Sequence, residues 1–328
     1  MSKLIRKALL VFACFVPLSI SAHAQLKDDA SILTFQDENS WASFTTPRDH
    51  YYTNGLLFGY TSPTGVLPDS IADLSNAIWG HGVQRISFDV TQQIHTPTDT
   101  GTRYPNPRDQ PYSGILLGNL SLISDTANTR NVSMLSLGVI GPDAGARNTQ
   151  NNFHDMISRA QVNGWYYQIP NQPAIELLQE RTWRLPLGVV GGLDTDLLPA
   201  LTLGVGNVRD YAQAGVTVRA GRGLDSDFGV PRLRPGLSGG NAYTPTRPIA
   251  WYVFAGMNGQ AVAYDGLLPD HPGPHVTPIW DVGEFQTGVA VMAFGLRLTV
   301  AYVAQTQEFV GQRYGIHQFG SISVSVRF

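Results

Sequence analysis

The chain is short of cysteine, of charge and of long apolar runs, and each shortage removes a class of protein. Its single cysteine, Cys14, lies in the N-terminal apolar segment. Once that segment is removed no thiol remains, so a disulfide framework and thiolate chemistry are both excluded. Charged residues make up only 14% of the chain, with no basic stripe or tail, which argues against a nucleic-acid partner. Beyond the N-terminal segment no run reaches the roughly 18 continuous apolar residues a membrane helix needs. A chain of this kind spans a membrane only as a closed barrel, because lipid leaves an open sheet edge unsatisfied. The phosphate-binding P-loop, G-x-G-x-x-G opening a helix, H-E-x-x-H and the EF-hand loop are also missing.

The N-terminus reads as a secretory signal. Lys3, Arg6 and Lys7 form a basic region without acids, residues 8–20 are apolar, and Ala22-His23-Ala24 offers small residues for cleavage. Residues 1–24 are therefore expected to be removed, leaving 25–328 as one domain. Loss of the three basic residues takes the formal charge from −3 to −6.

In the mature region alternation of apolar and polar residues dominates. It is clear in 31–35, 53–61, 84–91, 112–123, 131–140, 182–192, 200–206, 212–221, 249–257, 260–267, 285–293, 296–305 and 320–328. In the last of these, Ile322, Val324, Val326 and Phe328 alternate with serines and Arg327. One apolar and one polar face suit a barrel wall in lipid, although a soluble sandwich alternates as well. The thirteen runs exceed by one the even number expected of a bacterial barrel, so twelve strands are predicted, with 200–206 or 260–267 the false piece. The fold class is thus an all-β transmembrane antiparallel barrel with long connections at 67–82, 95–110, 141–180, 222–247 and 268–283. The terminal strand ending in Phe328 resembles a signal for the barrel assembly machinery, and a monomer in the outer membrane is expected.

Chemistry is expected in four places. Gly138–Gly145 is a strand end followed by a Gly/Pro turn, and Gln150 and His154 beyond it are spaced to share one face of a short helix. A histidine so held can serve as a general base. Gln36-Asp37-Glu38-Asn39 carries oxygen donors that suit a hard cation such as Ca2+, or form a solvated rim. Residues 48–55, Arg-Asp-His-Tyr-Tyr-Thr-Asn-Gly, read either as a polar site or as a turn with an aromatic girdle. Asp109-Gln110-Pro111-Tyr112 reads as a turn into a strand. Gly236-Leu237-Ser238-Gly239-Gly240 matches the G-x-S-x-G nucleophile pattern but sits in a Gly/Pro-rich loop rather than between strand and helix. His50, His81, His95, His271, His275 and His317 are expected to be loop histidines, mostly at the surface.

Taken in order, these motifs resemble the outer-membrane lipid A 3-O-deacylase family. The similarity continues through Gly206-Asn207, residues 216–221, residues 252–256 and Glu308-Phe309 to Phe328. The resemblance implies a twelve-stranded barrel with its site at the outer rim, between the wall and a helix in an extracellular loop. It implies Ca2+-dependent hydrolysis of the 3′ acyl ester of lipid A in lipopolysaccharide. Carried over by position, His154 is the general base, Asp37 the Ca2+ ligand with Gln36 and Glu38 beside it, and Thr53 and Gln150 polar residues of the site. Basic loop residues such as Arg48, Arg103 and Arg108 would meet the phosphates or serve solubility. Two departures stand out: Gln36 where the family commonly has Asn, and Ala160 where it has a glutamate after the histidine. A passive barrel with a decayed site, or a phospholipase using Ser238, are the alternatives.

Overall fold

The structure, a computed structural model, describes residues 27–40, 50–233, 241–268 and 276–328. The expected signal peptide, Arg48, Asp49, Ser238, His271 and His275 lie outside the described residues.

Alternation drives the architecture. Strands β1 (Ile32–Asn39), β2 (Tyr51–Thr61), β3 (Val83–Thr96), β4 (Ser113–Asp125), β5 (Thr129–Ile140) and β6 (Gln172–Trp183) run antiparallel. They are followed by β7 (Leu185–Val190), β8 (Leu193–Gly206), β9 (Arg209–Arg222), β10 (Ile249–Asp265), β11 (Asp281–Ala293), β12 (Leu296–Thr306) and β13 (Ile316–Arg327). Pairing of β1 with β13 and of β6 with β8 closes the sheet into a barrel.

Although thirteen strand segments are present, the wall has twelve members. Thr182 pairs with Ala200 and Leu185 with Leu197, so β6 and β7 keep one register along β8. In that register Trp183 lies opposite Pro199, which has no N–H to donate, and the ladder is interrupted there. The sequence run at 260–267 is the continuation of β10, whereas 200–206 belongs to a true strand, β8. The long connection expected over 141–180 ends nine residues early, because β6 begins at Gln172. Pro173 near its start and the buried polar residues from Gln179 to Thr182 mask the alternation there.

The two faces differ in chemistry. Phe88, Leu120, Leu135 and Leu177 stand side by side on β3–β6, and Phe88 and Leu120 are more than half exposed, as a lipid-facing belt requires. The lumen is polar and filled. The segment after β9 turns inward, carrying Asp227, Arg232 and Tyr243. Arg232 binds Glu38 and Glu284, both at 2.9 Å, and Arg219 binds Asp196 and Asp227. Next to Arg232 and Glu38, toward the opposite end from Arg219, His50, Tyr51, Tyr52, His95, His317 and Phe319 form a ring cluster, edge to face in most pairs, with His317 stacked on Phe319. His50, His95 and His317 are thus core residues, not surface ones, because β3 and β13 reach farther toward the rim than their alternation showed.

The start of β1 and the end of β13 lie together, with Ser31 and Phe328 bonded through their backbones. Three of the connections at that end, 126–128, 191–192 and 294–295, are tight turns, which marks it as periplasmic. There the β7–β8 hairpin reaches past β5, which ends opposite Trp183. All six β7 residues are exposed, Val189 and Val190 at 68%. Helix α1 (Asp69–Trp79) lies in the β2–β3 connection at the same end. Helix α2 (Ala146–Met156) lies at the opposite, extracellular end.

Candidate functional site

The expected short helix exists, and it is clamped to the outside of the wall. Gly141 and Gly145, both at positive φ, turn the chain out of β5 through a single 3-10 turn, Pro142–Ala144. The Gly141 N–H donates to the Gly114 carbonyl at 2.8 Å, and the Gln92 amide donates to the Ala144 carbonyl at 2.6 Å. Gly114 has no side chain, and that lets the helix seat. A Cβ there would lie 2.5 Å from the Ala146 Cβ.

The wall beneath is a registered row. Asn39, Asn54, Ile94 and Gly114 face one another across β1–β4, pointing away from the lumen. Asp37, Leu56, Gln92 and Leu116 form the next row. Asp37 alternates with exposed Leu33 and Phe35 and so belongs to the outer face, where its carboxylate accepts from the Asn54 amide at 2.6 Å. Neighbouring strands are about 4.8 Å apart, so β1 and the strands under α2 lie on the order of 10–15 Å apart across this face.

Thr53 reaches the same face by an irregularity. Tyr52 pairs with His95 and Asn54 with Ile94, leaving Thr53 as an extra residue in a bulge. Just before it, Tyr51 is held at φ 58, a conformation uncommon for a side chain of this size, with its hydroxyl bonded by Thr98 and by the Arg313 N–H. The Thr53 hydroxyl lies 2.7 Å from that of Thr96.

Ala146, Gln150 and His154 form the buried face of α2, as the i, i+4 spacing predicts. The Gln150 carbonyl oxygen accepts from the Trp165 indole N–H at 2.8 Å. Its amide nitrogen finds no partner among the described residues. His154 Nδ1 lies 2.7 Å from the Ala160 carbonyl oxygen. A carbonyl only accepts, so Nδ1 carries the hydrogen and neutral His154 is basic at Nε2. The contact that fixes the ring thus comes from the backbone of Ala160, the position where the resemblance implied a glutamate. Trp165 also packs against Tyr112, with the rings tilted and their centroids 4.9 Å apart, and both pack with Ile94, Ala146 and Val162. Burial pushes the Tyr112 phenol well above its ordinary range. Asp109 accepts from the N–H groups of Thr98 and Gln110, the turn role expected of it. Around this patch Phe153, Met156, Ile157 and Tyr166 are exposed.

The wall divides the acidic cluster. Gln36 and Glu38 point into the lumen, fully buried, where Glu38 accepts from Arg232, Tyr52 and the Leu233 N–H. Only Asp37 shares the outer face with His154, because successive strand residues point to opposite sides. Among the described residues no three His, Cys, Asp or Glu side chains converge to hold a metal. Asn54 lay within the candidate cluster 48–55, whereas Thr96, Trp165 and the Ala160 carbonyl were not foreseen. Thr96 could have been found from strand register, and the other two carry no sequence signal.

The family model for outer membrane protein LpxR matches residues 10–328. Among solved structures, LpxR from Salmonella typhimurium is 22% identical, covers 90% of this chain and 100% of its own, and superposes with a TM-score of 0.75. The β domain of the Bordetella autotransporter BrkA is 9% identical, covering 92% of this chain and 100% of its own, at a TM-score of 0.41, too low to carry an argument. No curated protein matches in sequence. The barrel resides in the outer membrane, and the chain belongs to the family of outer membrane protein LpxR.

Proposed function

We propose that this barrel is a Ca2+-dependent lipid A 3-O-deacylase, an ester hydrolase that removes the 3′-linked acyl or acyloxyacyl group. The observation that carries this reading is the placement of His154 and Gln150 on the lipid-facing side of the extracellular rim, held there by α2. An ester presented at that rim reaches the histidine while its acyl chains stay among the exposed Phe153, Met156 and Ile157.

His154 takes a proton at Nε2 from a water as the water oxygen bonds to the ester carbonyl carbon. The Ala160 carbonyl keeps the ring in the required tautomer and steadies the imidazolium that forms. The Gln150 amide N–H, which has no protein partner among the described residues, donates to the negative charge developing on the carbonyl oxygen. Collapse of the tetrahedral adduct breaks the bond to the sugar oxygen, which takes the proton back from His154. The products are a free fatty acid and a sugar hydroxyl.

The donor types on the outer face fit a calcium ion. Asp37 would offer a carboxylate and Asn39 and Asn54 amide oxygens, all hard ligands, to such an ion. When bound, Ca2+ supplies Lewis-acid polarisation of the ester carbonyl. Gln36 and Glu38 are not part of this set, since they face the lumen. Arg103 and Arg108, exposed on the 97–112 connection, would meet the sugar phosphates.

Mass spectrometry of lipid A after incubation with the detergent-folded protein tests the reading. Loss of the 3′ chain with Ca2+, no loss with chelator, and a drop on the order of 10²–10⁴-fold in His154→Ala are expected. Full activity in His154→Ala would overturn it. Against the passive-channel alternative stand the Arg232, Glu38 and Glu284 ion pairs and the aromatic cluster, which occupy the lumen.

A further inference from the structure

At the periplasmic end the outer wall is polar where lipid contact would favour apolar residues. Gln84, Ser124, Asn131 and Arg181 stand side by side on β3–β6. They lie four residues along the strand from the apolar row of Phe88, Leu120, Leu135 and Leu177, roughly 13 Å away. Ser124 and Asn131 are 1% exposed and Arg181 2%. Helix α1 covers them. Its Asn76 bonds Gln84, and Trp79 lies 5.9 Å from the Arg181 guanidinium, with Trp183 at 5.5 Å.

These groups are not satisfied by one another. Nε and Nη1 of Arg181, both amide atoms of Asn131, Oγ of Ser75 and Ser124, and Nε1 of Trp183 have no hydrogen-bond partner among the described residues. The lumen arginines Arg130, Arg219 and Arg232 each face carboxylates. Arg181 faces none among the described residues. A buried cation beside unmet donors is unfavourable unless an anion meets them. A phosphate accepts from the guanidinium fork and from amide, hydroxyl and indole donors together.

The other side of α1 indicates what the anion is attached to. Leu67, Ile71, Leu74 and Ile78 recur at helical spacing, with Ile71 43% and Leu74 61% exposed. This stripe lies at the periplasmic end of the wall, and an apolar outer side on such a helix suits the membrane interface there. The helix buries only Ser75 and Trp79 and is bounded by Pro68 and by Gly80 at φ 97.

We propose that Arg181, Asn131, Ser124 and Ser75 hold the phosphate of an inner-leaflet phospholipid, with α1 strapped across it and its apolar stripe among the acyl chains. The site lies at the opposite end of the wall from His154 and does not depend on the deacylase reading.

Native mass spectrometry of the detergent-folded mature protein tests this with three probes: dioctanoyl phosphatidylglycerol, dioctanoylglycerol and inorganic phosphate. Retention of the phospholipid alone is expected, weakened at least tenfold in Arg181→Gln at unchanged heat-modifiable mobility. Equal retention of dioctanoylglycerol would show a site that reads only acyl chains and overturn the proposal. Binding of inorganic phosphate as tight as that of the lipid would reassign the site to a free anion and overturn the lipid assignment. Equal binding by the wild type and Arg181→Gln would also overturn it. Should that variant fail to fold, the Ser124→Ala/Asn131→Ala double variant keeps the charge and must lose affinity several-fold. Unchanged binding there overturns the proposal.

Discussion

Single residues at the rim are sorted by the face they occupy. Asp37 and Glu38 are neighbours in sequence, yet one looks toward lipid and the other toward Arg232 in the lumen. Asp37→Asn should lower deacylation on the order of 10²-fold and blunt its response to added Ca2+, read by lipid A mass spectrometry across a Ca2+ titration. Glu38→Gln should leave turnover within a few-fold but weaken a buried ion pair. The expected loss is about 3 kcal/mol, measured by denaturant unfolding. If both substitutions abolish turnover equally, the division by face is wrong. The residue types of the site were legible in the sequence, because Gln150 and His154 carry their relation in their spacing. The acidic cluster was legible only as a cluster. Which of Gln36, Asp37 and Glu38 faces outward depends on strand register, which one residue of slip reverses. The carbonyl of Ala160 was not legible at all, since any residue type supplies a backbone oxygen.

At the scale of elements, α2 works because the wall beneath it is bare. Gly114→Ala places a methyl 2.5 Å from the Ala146 Cβ, so the helix must move while the β4 ladder survives. A displacement near 1 Å is expected to lower turnover about 10²-fold, with heat-modifiable mobility on gels retained. Activity at the wild-type level would mean that the helix does not position His154. Alternation located the strands wherever one face met lipid, as in β3 and β13. It failed in β6, where Gln179, Glu180, Arg181 and Thr182 are buried on both faces in succession. Two of these look into the lumen and two lie on the outer wall near α1, so the polarity that normally marks one face marked both. The bulge at Thr53 was equally hidden, since an extra residue in a strand leaves no compositional trace.

For the molecule as a whole, closure of the barrel brings its first and last strands together and one carboxylate clasps them. Asp28 is bonded by Arg85, Arg327 and Thr244, joining the segment before β1, β3, β13 and the luminal segment. Burial by itself would raise the Asp28 carboxyl. The Ala30 N–H, the Thr244 hydroxyl, Arg85 and Arg327 outweigh it and hold the group below its ordinary value of 3.8. A depressed folded value means that the contribution is complete above the unfolded value of about 3.9 and is lost as pH falls through the folded one. Wild type should therefore exceed Asp28→Asn in unfolding free energy by a constant margin between about pH 5 and 8, and the margin should close below about pH 4. A margin that persists into stronger acid would show that the clasp does not depend on the charge.

The β7–β8 hairpin gives the periplasmic rim an uneven edge. Leu187, Val189 and Val190 extend the apolar wall on one side only, six residues past the point where β5 ends. A bilayer meets such a mismatch by thickening locally or by letting the protein lean, and leaning is the response that brings a one-sided extension into hydrocarbon. The barrel axis should therefore be inclined to the membrane normal, which polarised infrared dichroism of oriented bilayers reports. Replacing Leu187, Val189 and Val190 with serine should bring it closer to upright. The inclination would set the depth at which the opposite rim, with its helix and histidine, meets the outer leaflet.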